Sequence, residues 1–140
     1  MLNVDKKICL VIIRNLISNA LIFSKAEGMV KVMISEVKQY EEFAGKKMIE
    51  DGLVLSVSDS GIGIPDNEQD KVFSKLFKAS NAKDSEVSTG SGLGLHMVQL
   101  IINNVGGELW FTSQKGAGST FYVTFPKFGM ARKDGKTSLD

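Results

Sequence analysis

Three groups of residues combine types and spacings suited to chemistry, and they follow one another along the chain. Asn15 and Asn19 lie four residues apart in a stretch of helical character, so both amides share one face. An amide oxygen is a hard, neutral ligand suited to Mg²⁺, which takes few protein ligands and leaves its other positions to phosphate and water. The same pair would also serve as a cap or a core hydrogen bond. In Asp59-Ser60-Gly61-Ile62-Gly63-Ile64-Pro65 a carboxylate ends an apolar strand face and two glycines follow at once. A buried carboxylate needs a hydrogen-bond donor. The exocyclic amine of a nucleobase is one, and glycines let a flat ring or a neighbouring backbone come close. A tight turn capped by an aspartate is the plainer reading. The third group, Gly90-Ser91-Gly92-Leu93-Gly94-Leu95, is a glycine run opening a helix, where free N–H groups and the positive end of the dipole suit phosphate. It follows a polar loop instead of a strand and lacks a Gly-Lys-Ser/Thr ending, so it is neither a dinucleotide fingerprint nor a phosphate loop.

The elements that must position these groups are legible from periodicity. Residues 5–24 predict a helix, with Ile8, Ile12, Leu16 and Ala20 every four positions, Cys9, Ile13 and Ile17 beside them, and Asn3 or Asp5 as cap. Val30 to Val37 and Leu53 to Asp59 read as strands; in the second, Leu53, Leu55, Val57 and Asp59 point to one face. Between them, residues 38–52 read as an exposed hairpin connection, with Glu41-Glu42 and Lys46-Lys47 solvated. Residues 66–77 suit a short helix and residues 78–91 a mobile polar loop. Helical periodicity resumes over 92–105, and strands follow at 108–113 and 119–125. Consecutive strand pairs with helices gathered on one face predict an α+β two-layer sandwich with a mixed, mostly antiparallel sheet. One domain is expected over 1–127, with 128–140 a polar, disordered tail.

Composition narrows the function classes. The 140 residues carry 17 Lys+Arg against 16 Asp+Glu, a net charge of +1, so no global field draws the chain to nucleic acid. One Cys and one His exclude an internal disulfide and a structural zinc site. The longest apolar run, Ile8 to Ile13, falls far short of the roughly 20 residues of a spanning helix. A soluble, intracellular module is expected.

In their order and spacing these features resemble the catalytic and ATP-binding domain of sensor histidine kinases, within the superfamily shared with DNA gyrase B and mismatch-repair ATPases. Asn15-Leu-Ile-Ser-Asn19-Ala is similar to the asparagine box. Asp59 to Pro65 resembles the first glycine box, Phe73-Ser-Lys-Leu-Phe77 the phenylalanine box, Gly90 to Leu95 the second glycine box and Gly116-Ala-Gly-Ser-Thr-Phe121 the closing glycine motif. The resemblance covers roughly residues 5–126. It implies a Bergerat-type fold that binds ATP with Mg²⁺ and passes the γ-phosphoryl group to a histidine on a separate helical dimerisation domain, from which a response-regulator receiver domain is served indirectly. On that resemblance Asn19 holds Mg²⁺ and Asn15 contacts phosphate or ordered water; Phe23 packs on adenine or ribose. Asp59 accepts the adenine amine with Thr120 supporting it through a water; Gly61 and Gly63 make room for the base, with Ile64 beside them. Gly90, Gly92, Leu93, Gly94 and Leu95 line the phosphates. The segment from about Asp66 to Thr89 is the expected lid, anchored by Phe73 and Phe77, with Lys78 reaching the transferred group.

Two departures from the family pattern stand out. Ile22 occupies the place of a usual Lys or Arg, leaving that phosphate contact to Lys25 or to none, and Lys78 stands where Arg is common; Lys lacks the bidentate fork. The single histidine, His96, follows the second glycine box and reads as structural or surface, so the acceptor is expected elsewhere. Met97 falls where an acceptor domain would dock. The chain is expected to be monomeric, and the cytoplasmic part of a membrane-anchored kinase. A serine kinase or ATPase of another subfamily and a degenerate, non-catalytic scaffold are the competing readings.

Overall fold

The computed structural model describes residues 5–24, 27–74 and 94–126. Helix α1 spans Lys6–Phe23, and its cap is Asp5, whose carboxylate accepts the N–H groups of Lys7 at 2.8 Å and Ile8 at 3.3 Å. Its buried residues are Ile8, Ile12, Leu16 and Ala20, the four-residue repeat expected. Helix α2 spans Gly94–Val105 and packs on α1, burying Val98 and Ile102.

The main sheet contains β1 (Val30–Val37), β4 (Gly52–Asp59), β5 (Leu109–Gln114) and β6 (Gly118–Pro126) in the order β1-β4-β6-β5, and every pairing in it is antiparallel. Strands β2 (Glu42–Phe43) and β3 (Lys46–Lys47) form a small separate hairpin. One face of the sheet supplies Leu55, Val57, Phe121, Val123 and Phe125 to the core shared with α1 and α2. This is the expected α+β sandwich, with helices on one face.

Residues 38–52 depart from a purely exposed connection. The β2–β3 hairpin folds over the other face of the sheet, where Val37, Met48 and Val54 are buried with Phe43, Trp110 and Tyr122 against them. Trp110 stacks on Tyr122 at 5.1 Å, and its Nε1–H donates to the Ala44 carbonyl at 3.3 Å. Strand alternation places Val54, Trp110 and Tyr122 on this second face, which needs a cover. The hairpin charges do stay at the rim: Lys46 pairs with Glu108 at 3.1 Å.

Of the helix expected over 66–77, the described residues 66–74 carry a 3₁₀ helix at Asp66–Lys71, and residues 75–77 lie outside the described residues. The 3₁₀ segment, DNEQDK, buries none of its own residues, and the contacts with the core come directly after it, from Val72, which is buried, and Phe73. The 78–91 loop and the 128–140 tail lie outside the described residues. Among the described residues no helix is long and apolar enough to cross a membrane.

Truncating Ile12, which is wholly buried, is expected to cost about 2–5 kcal/mol. Leu10→Ala, at a position 56% exposed, is expected to stay within about 0.5 kcal/mol. Urea denaturation of both variants checks the contrast.

Candidate functional site

Asp59 is the last residue of β4 and the polar end of that strand's apolar face. It is 9% exposed. Burial pushes its carboxyl pKa above the usual value, opposed by the backbone N–H groups of Gly61 and Ser119. The Gly61 N–H reaches Oδ1 at 2.9 Å, so the carboxylate is held by the loop it opens.

Two glycines of that loop answer to close contacts. A side chain on Gly61 would collide with the carbonyl oxygen of Phe23, which brings the end of α1 directly against the Asp59 turn. Gly63 has φ +67° and faces the Gln114 carbonyl, where any side chain would also collide. The loop is tied to the β5–β6 hairpin: Gly116 N–H donates to Ile62 O at 2.6 Å and Ile64 N–H to Ser113 Oγ at 2.8 Å. Gln69 Nε2–H₂ donates to Ile64 O at 3.0 Å and Ser113 O at 3.2 Å. Ile64 itself is buried in the core.

The expected partnership of Thr120 with Asp59 is corrected. Ser119, not Thr120, stands across the ladder from Asp59. Thr120 pairs with Ser58, and their hydroxyls meet at 2.8 Å on the opposite face of the sheet. The cause is strand alternation: Phe121 belongs to the helix-side core, so Ser119, two residues earlier, shares its face and Thr120 does not. That signal was present in Gly118-Ser119-Thr120-Phe121. Ser119 is 7% exposed and its Oγ lies 2.7 Å from Ser113 Oγ. Sequence reading singled out neither Ser113 nor Gln69, because their roles depend on a loop crossing to a distant hairpin.

Asn15, Asn19 and Phe23 are half-buried on α1. Asn15 Nδ2–H₂ donates to Val11 O at 2.8 Å, while its Oδ1 lies 3.1 Å from where a side chain on Gly94 would begin. The asparagine face thus meets the first residue of α2, and Leu95 packs against the core. Among the described residues no three His, Cys, Asp or Glu side chains gather into a cation site. A cation here would take protein ligands from amide oxygens, and a Mg²⁺ completed by phosphate and water fits that donor set. Phe77, Lys78, Gly90, Gly92 and Leu93 lie outside the described residues. Phe73 makes edge-on contacts with Phe111 at 5.6 Å and Phe121 at 6.3 Å. His96 Nδ1 sits 3.1 Å from the Phe73 carbonyl oxygen, joining α2 to that segment. Met97 is 47% exposed.

Residues 5–128 match the family described as histidine kinase-, DNA gyrase B-, and HSP90-like ATPase. The chain is 38% identical over 113 residues to the aerobic respiration control sensor protein ArcB of Escherichia coli K12, covering 81% of this chain and 13% of ArcB. It is 35% identical over 115 residues to the sensor histidine kinase WalK of Bacillus subtilis 168, covering 82% of this chain and 17% of WalK. The chain therefore spans less than a fifth of either relative. The mycobacterial sensor histidine kinase MprB has the same fold, with TM-score 0.69 and 22% identity, covering 93% of this chain and 82% of MprB's. Full-length ShkA, solved in complex with AMPPNP, aligns with TM-score 0.63 and 24% identity over 89% of this chain and 22% of its own. With its sheet, its helices and 124 consecutive residues matched, the chain belongs to the histidine kinase-, DNA gyrase B- and HSP90-like ATPase family.

Proposed function

We propose that the chain binds Mg-ATP and supplies the γ-phosphoryl group to a histidine on a separate helical dimerisation and phosphoacceptor domain, within two-component signalling. The observation that carries this reading is the Asp59 carboxylate, buried at a strand end and held by the Gly61 N–H over a glycine loop. A carboxylate so placed offers an acceptor to the adenine amine, and Ser119 takes the supporting place across the ladder. Phe23 flanks the base. Asn15 and Asn19 face the phosphates from α1, with Asn19 as the protein ligand of the cation. Mg²⁺, when bound, neutralises charge on the phosphates and fixes their geometry. Gly94 and Leu95, opening α2, bring N–H groups to the phosphate end.

The acceptor belongs to another domain on this reading: the only histidine in the sequence, His96, is engaged with the Phe73 carbonyl. The exposed Met97 lies on the side where the acceptor helices would approach. A receiver domain is then served indirectly, and the parent protein is read as a membrane-anchored kinase with this part in the cytoplasm. Titration with ADP and ATP by calorimetry, with and without Mg²⁺, tests the proposal. Binding in the micromolar range, strengthened by Mg²⁺, is expected. Absence of binding up to millimolar nucleotide would overturn it in favour of a scaffold, the reading to which Ile22 in place of a cation lends its support.

A further inference from the structure

Behind Asp59 lies a pair of serine hydroxyls. Ser113 Oγ accepts the Ile64 N–H at 2.8 Å, lies 2.7 Å from Ser119 Oγ and lies 3.2 Å from the Gly118 carbonyl oxygen. A carbonyl only accepts, and a serine hydroxyl has one proton. If Ser113 donates to Gly118 O, the short contact is closed by the Ser119 proton, and both hydroxyl protons are used. The reverse assignment strips the Gly118 contact of its proton and leaves the Ser119 proton without this partner in a site only 7% exposed. Buried polar groups settle in the arrangement that satisfies them.

In that arrangement Ser119 turns only lone pairs to the side it shares with Asp59, directly across the ladder. The carboxylate and the hydroxyl oxygen then form a wall of acceptors. We propose that Ser113 is a positioning residue for base selection: by taking the Ser119 proton it keeps this wall acceptor-only. Such a wall favours a purine with an exocyclic amine at position 6, met directly or through one water. It disfavours a purine with a carbonyl there. The inference rests on the nucleotide reading above.

The experiment measures ADP and IDP affinities, which compare an amine with a carbonyl at that position, for the 140-residue chain and its variants. The unaltered chain is expected to prefer ADP by about tenfold or more. In Ser113→Ala the Ser119 proton is freed to meet the IDP carbonyl, and the preference is expected to shrink by about threefold or more. Ser113→Thr keeps the hydroxyl and is expected to restore the preference. Ser113→Cys keeps the volume with a weaker acceptor; it is expected to narrow the preference and carries the test if the alanine variant does not fold. Equal weakening of ADP and IDP in the alanine or cysteine variant, with the preference unchanged, would reduce Ser113 to a structural clamp and overturn the inference while sparing the nucleotide reading. Failure of the unaltered chain to bind either nucleotide would overturn both.

Discussion

Asp59→Asn is expected to weaken Mg-ATP binding by at least tenfold, about 1.4 kcal/mol or more, while leaving the nucleotide-free chain folded and no less stable at neutral pH. The two halves of this result have one cause. Asp59 is buried, and burial dominates the upward movement of its pKa. A group with a raised folded pKa binds its proton more tightly in the native state than in the unfolded one. Its contribution to stability is therefore present below the unfolded pKa and is lost as pH rises from about 3.8 through the raised value. At neutral pH the ionised carboxylate is held at a cost that asparagine removes. The amide oxygen can still accept from Gly61, so the turn survives. Toward a ligand, however, asparagine offers an NH₂ donor where the carboxylate offered an acceptor, and two donors then face each other across the base edge. Calorimetry and thermal denaturation of the two proteins, side by side, read both halves. Unchanged affinity in a folded variant would remove Asp59 from the base site. In the unaltered chain, binding is also expected to weaken as pH falls through the raised Asp59 pKa, since the protonated acid no longer presents two acceptors.

Much of this site was legible because it sits on regular elements. Ile8, Ile12, Leu16 and Ala20 announce the buried stripe of α1, and that stripe fixes the face on which Asn15 and Asn19 stand. Leu53, Leu55 and Val57 announce the face that Asp59 ends. What escaped was of two kinds. Thr120 for Ser119 is an error of parity: on a strand, one residue's slip exchanges the faces, and only Phe121 as a core anchor settles it. Ser113 and Gln69 are errors of distance. Ser113 lies 49 residues from Ile64 in sequence, and nothing local reports that the glycine loop will lie along the β5–β6 hairpin. The same holds for the β2–β3 hairpin, whose charges mark an exposed rim but whose Phe43 and Met48 cover a second apolar face that appears only when β4, β5 and β6 align.

The second large effect is expected at Asn19. Asn19→Ala should weaken ATP binding at least tenfold when Mg²⁺ is present and change it little when Mg²⁺ is chelated, so that the strengthening by Mg²⁺ is what disappears. Asn19 is half-buried on α1, one turn beyond Asn15 and on the same face. Alanine there removes an amide oxygen and leaves the helix intact, for alanine is the better helix former. A loss of binding therefore cannot be laid to unfolding of α1, and an unchanged urea midpoint would establish that directly. The chemistry narrows the outcome further. On the proposed reading, the Asn19 amide oxygen is the hard, neutral ligand that α1 would offer to a Mg²⁺ bound with the phosphates. A Mg²⁺ already charge-matched to phosphate needs few protein contacts, and losing one of few is costly. Asn15 differs, because its NH₂ group is tied to the Val11 carbonyl and its oxygen faces Gly94, the first residue of α2. Its truncation is expected to weaken binding with and without Mg²⁺ alike. If Asn19→Ala instead kept the full Mg²⁺ enhancement, the cation would be held without it, and the pairing of the two asparagines with distinct tasks would fall.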